Sequence, residues 1–334
     1  MRRAIPLAIL ALASVVIAPA TARAAACTWQ AEALPLPTGT SGGVVDGTDH
    51  AGGYAGTVYR SGSGRHVVSW RNGTVTDHGT VTPATTIRVV DQNRAGTILA
   101  NTAYGQWGQV KRAFLVRAGQ WTELLPVPGA TQTVATAVND AGDVLGTNYV
   151  NRTSGTGQVV VRWPADQPAA PVELAGVPLH ADAIGLDTDG TALVGIRAQA
   201  GAHAWPHLWR AGVLAKLAAP PNTREPTGTD IANGRVTGGA RTNGPSKGVY
   251  WDHDRVPRVL GSSTEGLHVN RDGMIVGSAT HPDISHSVFR LGTFEHEFGT
   301  FDDHVYVGTI SDDGTFAGSA VIAGTNSAAV WRCG

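Results

Sequence analysis

The sequence predicts an all-β fold, a seven-bladed β-propeller of four-stranded antiparallel blades. Three observations support this prediction: two strand signatures recur in step, each repeat has room for four short strands, and the composition suits tight turns. The 334 residues include 43 glycines, 42% hydrophobic residues and 15% charged residues. Such a composition is typical of short strands joined by turns and differs from that of a disordered chain.

The first signature is an apolar strand, an Asx-rich turn that ends in glycine, and a second apolar strand that ends in a small residue. TAVNDAGDVLG and GLHVNRDGMIVG are two of its seven copies. The turn glycines of the seven copies are Gly52, Gly96, Gly142, Gly190, Gly234, Gly273 and Gly314. Successive turn glycines are 44, 46, 48, 44, 39 and 41 residues apart. This spacing matches the roughly 40 to 45 residues of a four-stranded propeller blade.

The second signature follows the first by about 20 residues and is an alternating strand that runs into an Arg-x-Gly turn. An aromatic or apolar residue closes each of these strands: Trp70, Val116, Trp163, Trp209, Trp251, Phe289 and Trp331. Apolar residues two positions apart share the tryptophan's face of the strand. We therefore predict that the tryptophans pack between blades; a carbohydrate-binding platform is the alternative.

The last repeat lacks a fourth strand, and a matching segment lies near the start of the chain. CTWQAEALPLP resembles GQWTELLPVP of the second repeat. We predict that a strand at about residues 28–35 pairs beside residues 327–332 and completes the last blade. This pairing brings Cys27 next to Cys333, and we expect a disulfide between them that stabilises the fold by at most on the order of 5 kcal/mol.

The amino-terminal segment has the features of an export signal. Residues 1–26 contain a basic start, an apolar run and small residues before the expected cleavage site. We therefore expect a secreted, extracellular protein whose single propeller domain spans residues 27–334 in seven repeats of about 44 residues. A lipid anchor on Cys27 is the alternative, but the preceding Ala24-Ala25-Ala26 lacks the usual leucine.

The charge balance and the hydropathy pattern exclude two classes of partner. Removal of residues 1–26 takes away three arginines and leaves 22 basic residues against 26 acidic ones, a net charge near −4. This balance predicts no nucleic-acid surface. No later stretch is apolar over the length of a membrane span, so we expect none. We also expect the protein to be a monomer.

The repeats resemble a family of extracellular repeats named for a His-Ala-Phe signature (HAF repeats). That pattern combines a His-Ala-Phe-Leu-Trp-like strand with an Ile-Asn-Asx-x-Gly turn. The matching segments are RAFLVRAG at 112–119, HAWPHLWRAG at 203–212 and TAVNDAGDVLG at 136–146. The resemblance covers the mature chain. It implies export and a propeller, and it implies no reaction.

The sequence contains no motif for a catalytic nucleophile, a phosphate loop or a dinucleotide. The segments 187–190 and 311–315 resemble calcium loops or the Asp-boxes of sialidases, but both matches are incomplete. We interpret them as turns whose Asp side chains satisfy backbone groups. Histidines cluster around 281–286 and at 203–207 without the spacing of a zinc site. We therefore expect no metal, no cofactor and no catalytic residue.

Strand alternation places the Asx-Gly and Arg-x-Gly turns on one face of the disk and the variable loops on the other. Binding residues concentrate on variable loops that a rigid scaffold positions. The loop with Tyr104 and Trp107 is the leading candidate because both rings lie outside the repeat register; packing of these rings onto the disk is the alternative. The candidate ligand-binding residues on this face are Tyr104, Trp107, Lys111, Arg152, His203, Arg241, Lys247, His281, Asp283 and His286.

Two functional hypotheses follow. The first is an extracellular binding module for carbohydrate or protein, and the second is a hydrolase or lyase that acts on polysaccharide at the mouth of the central channel. Propellers host both functions, so the fold does not discriminate between them. Carboxylates that converge with Arg or Tyr at the channel mouth would favour the enzyme, and an aromatic shelf without them would favour binding. Because no catalytic motif is present, the sequence favours the binding module.

Overall fold

Seven four-stranded antiparallel sheets account for every strand of the chain that the structure describes. The structure is a computed structural model, and it describes residues 28–82, 84, 86–105, 109–152, 155–300 and 304–334. The predicted seven-bladed β-propeller is confirmed. Within the described residues, no helix has the length and hydropathy needed to cross a bilayer.

The strands of each blade follow one another along the chain, and the first strand of each blade is its inner strand. Blade 1 consists of β2 (Thr40–Thr48), β3 (Tyr54–Arg60), β4 (Gly64–Arg71) and β5 (Thr74–Gly79). Blade 2 consists of β6 (Thr86–Gln92), β7 (Ile98–Tyr104), β8 (Val110–Arg117) and β9 (Gln120–Glu123). Blade 3 consists of β10 (Ala130–Val138), β11 (Val144–Arg152), β12 (Gly155–Trp163) and β13 (Val172–Glu173). Blade 4 consists of β14 (Ala181–Leu186), β15 (Ala192–Ile196), β16 (Trp205–Arg210) and β17 (Val213–Lys216). Blade 5 consists of β18 (Arg224–Ala232), β19 (Arg235–Arg241), β20 (Lys247–Trp251) and β21 (Pro257–Leu260). Blade 6 consists of β22 (Ser263–Val269), β23 (Met274–Ala279), β24 (Ile284–Arg290) and β25 (Thr293–Thr300). Blade 7 consists of β26 (Tyr306–Ile310), β27 (Phe316–Ile322), β28 (Thr325–Cys333) and β1 (Trp29–Ala33).

The inner strands form a closed ring around the central axis. Each inner strand contacts the inner strand of the next blade, and β26 of blade 7 contacts β2 of blade 1. Stacking of each sheet on two neighbours buries both faces, which a lone four-stranded sheet cannot do. The core is accordingly divided into clusters that lie between adjacent blades.

The ring is closed by the strand pairing that the sequence predicts. β1 pairs antiparallel with β28, with Trp29 opposite Cys333 and Ala33 opposite Ala329. The Gly334 amide also donates to the Thr28 carbonyl at 3.2 Å. Cys27 and the predicted signal peptide lie outside the described residues, so the disulfide and the export signal stay predictions.

The repeated tryptophans are core residues, as predicted. Each is buried, with at most 9% of its surface exposed: Trp70, Trp163, Trp209, Trp251 and Trp331. Four of them donate an indole hydrogen bond of 2.7 to 2.9 Å to the connector that enters their own blade: Trp70 to Pro35, Trp163 to Leu125, Trp209 to Ala175 and Trp251 to Ala218. The tryptophan therefore fixes each connector as well as filling the core, which satisfies its one polar group.

A β-bulge interrupts every inner strand at the same position. The shifts in register occur between Val45 and Gly47, Val89 and Asp91, Ala135 and Ala137, Ala183 and Gly185, Gly228 and Asp230, Gly266 and His268, and Val307 and Thr309. A bulge places two residues of one strand opposite a single residue of the neighbouring strand, and it changes the direction in which the side chains point. At this point the second strand carries a glycine or alanine in six blades, for example Gly56, Gly238 and Gly318, and Val194 in blade 4.

We expect the substitution Gly238→Ala to destabilise the protein by about 1–3 kcal/mol, because overpacking forces backbone shifts. A Cβ atom at Gly238 would lie 1.8 Å from the carbonyl oxygen of Thr227 on the inner strand. Urea-induced unfolding measures the difference. Gly261→Ala is the matched control, since nothing lies within 4 Å of its Cβ position; equal stability of the two variants would contradict the prediction.

Candidate functional site

A polar pocket opens on the loop face between blades 4, 5 and 6; we call it the loop-face pocket. Its volume is about 480 Å³. Its lining comes from three blades and consists of His203, Glu225, Thr227, Gly239, Ala240, Arg241, Ser246, Thr264 and Glu265. Because β18 and β22 are inner strands, the pocket lies beside the mouth of the central channel.

Strand ends position the charged groups of the loop-face pocket. Glu225 is the second residue of β18, and Arg241 is the last residue of β19. Glu225 has a φ of +49°, in the left-handed region that residues with a side chain rarely adopt. Such strain persists where the surrounding structure enforces it, and it is concentrated at functional sites.

Direct contacts fix two of the pocket's side chains. The Arg241 guanidinium lies 2.9 Å from the Glu225 carboxylate. His203 donates from Nε2 to the Pro226 carbonyl oxygen at 2.8 Å, which leaves Nδ1 as a hydrogen-bond acceptor in the neutral ring. The pocket therefore presents guanidinium donors beside carboxylate and imidazole acceptors, the combination that hydroxyl groups pair with.

Glu265 supplies a second carboxylate from blade 6. Burial raises the pKa of Glu265 above its usual value, because low polarity disfavours the charged form. Among the residues that the structure describes, none donates a hydrogen bond to this carboxylate. Glu265 is therefore a half-buried acidic group available to a ligand.

The predicted candidate residues lie on five blades, and the structure brings two of them, His203 and Arg241, into one pocket. Lys247 begins β20 and pairs in register with Ala240 at the wall of the same pocket. Tyr104 and Lys111 lie on β7 and β8 of blade 2, where the Tyr104 ring packs 5.2 Å from the Arg112 guanidinium. Trp107 and the side chain of Arg152 lie outside the described part of the chain.

The three candidates of blade 6 have different environments. His281 and Asp283 lie in the loop before β24, where the Asp283 amide donates to His281 Nδ1 at 3.2 Å. His286 lies within β24 and not on that loop, and 6% of its surface is exposed. Its ring stacks on Phe298 at 5.3 Å. Burial lowers the pKa of His286 to about 4, so the ring is neutral at physiological pH.

The turns that resemble calcium loops bind backbone amides of the neighbouring blade. The Asp187 carboxylate accepts hydrogen bonds from the amides of Thr188 and Asn233 at 2.7 and 3.0 Å. In the segment 311–315, the Asp312 carboxylate accepts from the Arg271 amide of blade 6 at 3.2 Å. Among the described residues, no group of three or more His, Cys, Asp or Glu side chains is placed to hold a metal ion. The interpretation of these segments as structural turns is consistent with this geometry.

A second cavity, the central cavity, lies on the axis of the ring and has a volume of about 220 Å³. Residues from the inner strands of all seven blades line it. Asp91 is partly buried in the wall of this cavity, and desolvation raises its pKa to about 7. Its oxygens accept from the amides of Gln92 and Val138 at 2.8 and 2.7 Å.

Ion pairs cross the axis at the turn face; we call them the turn-face network. Arg271 of blade 6 pairs with Asp140 of blade 3, and its Nε lies 3.5 Å from Asp312 of blade 7. Arg94 of blade 2 pairs with the same Asp312 at 3.1 Å. His50 of blade 1 lies 3.7 Å from Asp312, and burial lowers its pKa. These side chains lie across the turn-face end of the central cavity, so we expect small molecules to enter from the loop face.

Sequence reasoning did not select Glu225, Glu265 or the residues of the central cavity. A signal for part of this set was present at one register position of the repeat, the residue just before the bulge of each inner strand. This position varies between apolar, charged and aromatic residues: Val44, Arg88, Val134, Asp182, Thr227, Glu265 and Tyr306. Variation at one register of an otherwise regular repeat indicates a surface that packing does not dictate.

Comparisons with known proteins identify the fold. No family model and no curated protein sequence matches the chain. Among solved structures, the chain is similar to an acylaminoacyl peptidase of Pyrococcus horikoshii, with 11% identity, a TM-score of 0.59 and coverage of 88% of this chain and 52% of that one. It is also similar to a puromycin-hydrolysing peptidase of Mycobacterium tuberculosis, with 12% identity, a TM-score of 0.55 and coverage of 88% and 51%.

A third similar structure is TolB from Acinetobacter baumannii, with 12% identity, a TM-score of 0.50 and coverage of 74% of this chain and 63% of that one. The chain thus spans between about half and two thirds of the length of these proteins. At such identities a structural likeness shows the fold alone. The chain is a β-propeller with distant structural neighbours of different functions.

Proposed function

We propose that this protein is an exported binding module that recognises a hydroxyl-rich ligand, a carbohydrate, in the loop-face pocket. The observation that supports this most strongly is the convergence of His203, Glu225, Arg241 and Glu265 from three blades. A sugar hydroxyl both donates and accepts, so it pairs with a guanidinium on one side and a carboxylate on the other. A planar guanidinium forms two parallel hydrogen bonds and adds geometric specificity.

Two further features support this proposal. The pocket wall contains the small residues Gly239 and Ala240, which let a sugar ring approach the backbone. The amino-terminal segment and the resemblance to extracellular repeats support export, where polysaccharides are available ligands. The closing strand beside Cys333 supports a disulfide suited to that compartment.

We expect Arg241→Ala to weaken binding at least tenfold, because the lost ion-paired guanidinium leaves the Glu225 carboxylate and the ligand hydroxyls without a donor. A glycan array with the mature protein identifies a ligand, and calorimetric titration then measures the Kd of each variant.

Arg210→Ala is the matched control for this titration. Arg210 is an exposed arginine at a turn-face position, and it pairs with Asp189 at 3.1 Å. We expect its substitution to leave the Kd unchanged. Absence of binding to every glycan, or equal binding by the Arg241→Ala and wild-type proteins, would exclude carbohydrate recognition in this pocket.

A second candidate function is hydrolysis or elimination on a polysaccharide at the same pocket. The half-buried Glu265 favours it, because burial raises the pKa of this carboxyl group and a raised pKa favours the protonated form that a general acid needs. Glu225 would then be the second carboxylate, oriented by Arg241. Release of reducing ends from the bound glycan separates the two functions. If the protein is an enzyme, the wild-type protein releases them and Glu265→Gln abolishes the release. If the wild-type protein binds the glycan and releases no reducing ends, the protein is a binding module.

A further inference from the structure

Hydrogen bonds join a serine, a histidine and an aspartate at the loop-face edge of blade 1. The Ser63 hydroxyl lies 3.0 Å from Nε2 of His66. Nδ1 of the same ring lies 3.1 Å from both carboxylate oxygens of Asp77. A nucleophile, a base and a group that orients the base, joined in this order, form the arrangement of a catalytic triad. The sequence predicts no catalytic residue, because the spacing of these three residues matches no nucleophile motif.

One turn and two strands of the blade hold these three side chains. Ser63 belongs to the turn between β3 and β4, His66 lies on β4 and Asp77 lies on β5. The turn conformation depends on Gly62 and Gly64, whose φ angles of +82° and +79° residues with a side chain rarely adopt. Ser63 is exposed, whereas His66 is 7% exposed. The base is therefore shielded from solvent while the hydroxyl remains accessible to a reactant.

The partners of Asp77 fix the position of the proton on the His66 ring. Burial alone would raise the pKa of Asp77. Hydrogen bonds from the Gly79 amide at 2.8 Å and from His66, with the positive charge of Arg60, outweigh burial and lower this pKa below its usual value. An ionised carboxylate only accepts, so His66 donates from Nδ1 and its Nε2 is the acceptor in the neutral ring. The Ser63 hydroxyl therefore donates to Nε2, which is the direction that proton transfer to a general base requires.

Blade 2 has an ordinary ion pair at the same register. Arg112 on β8 and Glu123 on β9 lie 3.5 Å apart. By the pairing register they occupy the positions that His66 and Asp77 occupy in blade 1. The Arg60 guanidinium already lies 3.1 Å from the Asp77 carboxylate, so this charge is compensated without a histidine. Because an imidazole accepts a proton and a guanidinium does not, His66 adds a base that charge pairing does not require.

We propose that Ser63 is the nucleophile of an acyl-transfer site that takes carboxylic esters, with His66 as its general base and Asp77 as a positioning residue. Ser63 Oγ forms a bond to the acyl carbon while the bond from that carbon to the leaving alkoxide breaks. Nε2 of His66 accepts the serine proton and passes it to the alkoxide. Water then attacks the acyl carbon, and His66 accepts a proton from this water and returns it to Ser63 Oγ as the carboxylic acid leaves.

The site is separate from the loop-face pocket and does not depend on its ligand. The two lie on different blades, since the pocket is formed by blades 4, 5 and 6. Because Ser63 lies in an exposed turn, an ester group carried by a large molecule has access to its hydroxyl as well as a small ester does.

The test uses a fluorophosphonate and 4-nitrophenyl acetate on the full mature protein. A fluorophosphonate forms a stable bond from its phosphorus to an activated serine oxygen and loses fluoride. We expect a single label, located at Ser63 by mass spectrometry of peptides, and release of 4-nitrophenolate from the ester above the rate in buffer. Ser63→Ala should abolish the label and the catalysed release. His66→Gln should lower the rate constant of labelling by roughly a hundredfold or more, because a general base contributes a factor of this order.

A neighbouring serine provides the matched control. Ser61 is exposed in the same turn, and we expect Ser61→Ala to be labelled at the wild-type rate. Asp77→Asn should slow labelling by roughly tenfold or more, because the ring loses the carboxylate that fixes its tautomer. Asp77→Glu keeps a carboxylate and should recover part of the rate, a recovery that a merely structural role of Asp77 does not predict.

Urea-induced unfolding verifies that each variant is folded. Ser63→Ala removes only an exposed hydroxyl, so it tests the proposal even where a substitution of the buried His66 disrupts blade 1. Absence of the label on the wild-type protein, a label on a residue other than Ser63, or equal labelling rates of folded His66→Gln and wild-type proteins would overturn the proposal. So would undiminished release of 4-nitrophenolate by Ser63→Ala.

Discussion

Replacement of Trp163 by alanine is expected to lower the free energy of unfolding by about 3–5 kcal/mol. The side chain is completely buried between blades 2 and 3, in contact with the cluster that contains Leu99 and Val144. The substitution opens a cavity and also removes the 2.7 Å hydrogen bond from its indole nitrogen to the Leu125 carbonyl. Loss of that bond releases the connector that enters blade 3. Urea-induced unfolding followed by far-UV circular dichroism measures the change.

Two variants separate the contributions of packing and hydrogen bonding. Trp163→Phe keeps most of the ring and loses the donor, so we expect an intermediate loss. Trp205→Ala removes a tryptophan at the loop face whose ring is covered by Lys216 at 3.7 Å, and we expect a much smaller effect. A loss below about 1 kcal/mol for Trp163→Ala would contradict the role of the repeated tryptophans as core residues.

Joint replacement of Cys27 and Cys333 by serine is expected to lower the free energy of unfolding by on the order of 5 kcal/mol at most. The predicted disulfide would close nearly the whole mature chain, so its loss increases the entropy of the unfolded state. The pairing of Trp29 opposite Cys333 gives this prediction its structural basis. Thermal unfolding of the oxidised wild-type protein and of the double variant measures the difference.

A reducing agent provides the control for the disulfide. It should lower the unfolding temperature of the wild-type protein to that of the double variant and leave the double variant unchanged. Two free thiols in the native wild-type protein, counted under denaturing conditions, would exclude the bond. Because β1 supplies a whole strand to blade 7, we expect a disulfide-free protein to remain folded at a lower stability.

Much of the fold could be predicted from the sequence because its signals are local and repeated. Each copy of the first signature specifies a strand, a turn and a strand within about a dozen residues. The seven copies fix the number of blades. The unpaired last repeat and the matching segment before residue 36 specify the seam, which the structure confirms. None of these inferences requires knowledge of contacts between distant parts of the chain.

The candidate site could be predicted less well. The sequence predicts His203 and Arg241 as loop-face binding residues, and they meet in one pocket. Glu225 and Glu265 are absent from the predicted set, because local patterning does not show which residues of the inner strands β18 and β22 face this pocket. The sequence ranks the loop with Tyr104 first, and the pocket described here lies on other blades.

The sequence by itself determined the blade number, the two faces of the disk and the closing strand, because period-2 patterning and turn spacing act over a few residues. Tertiary structure decided which side chains meet. The bulge in β2 breaks the alternation and places Asp46 at the central cavity. Curvature of the ring brings Arg271 onto Asp140, 131 residues earlier in the chain. Contacts of this kind depend on the closure of the ring, which local patterning does not encode.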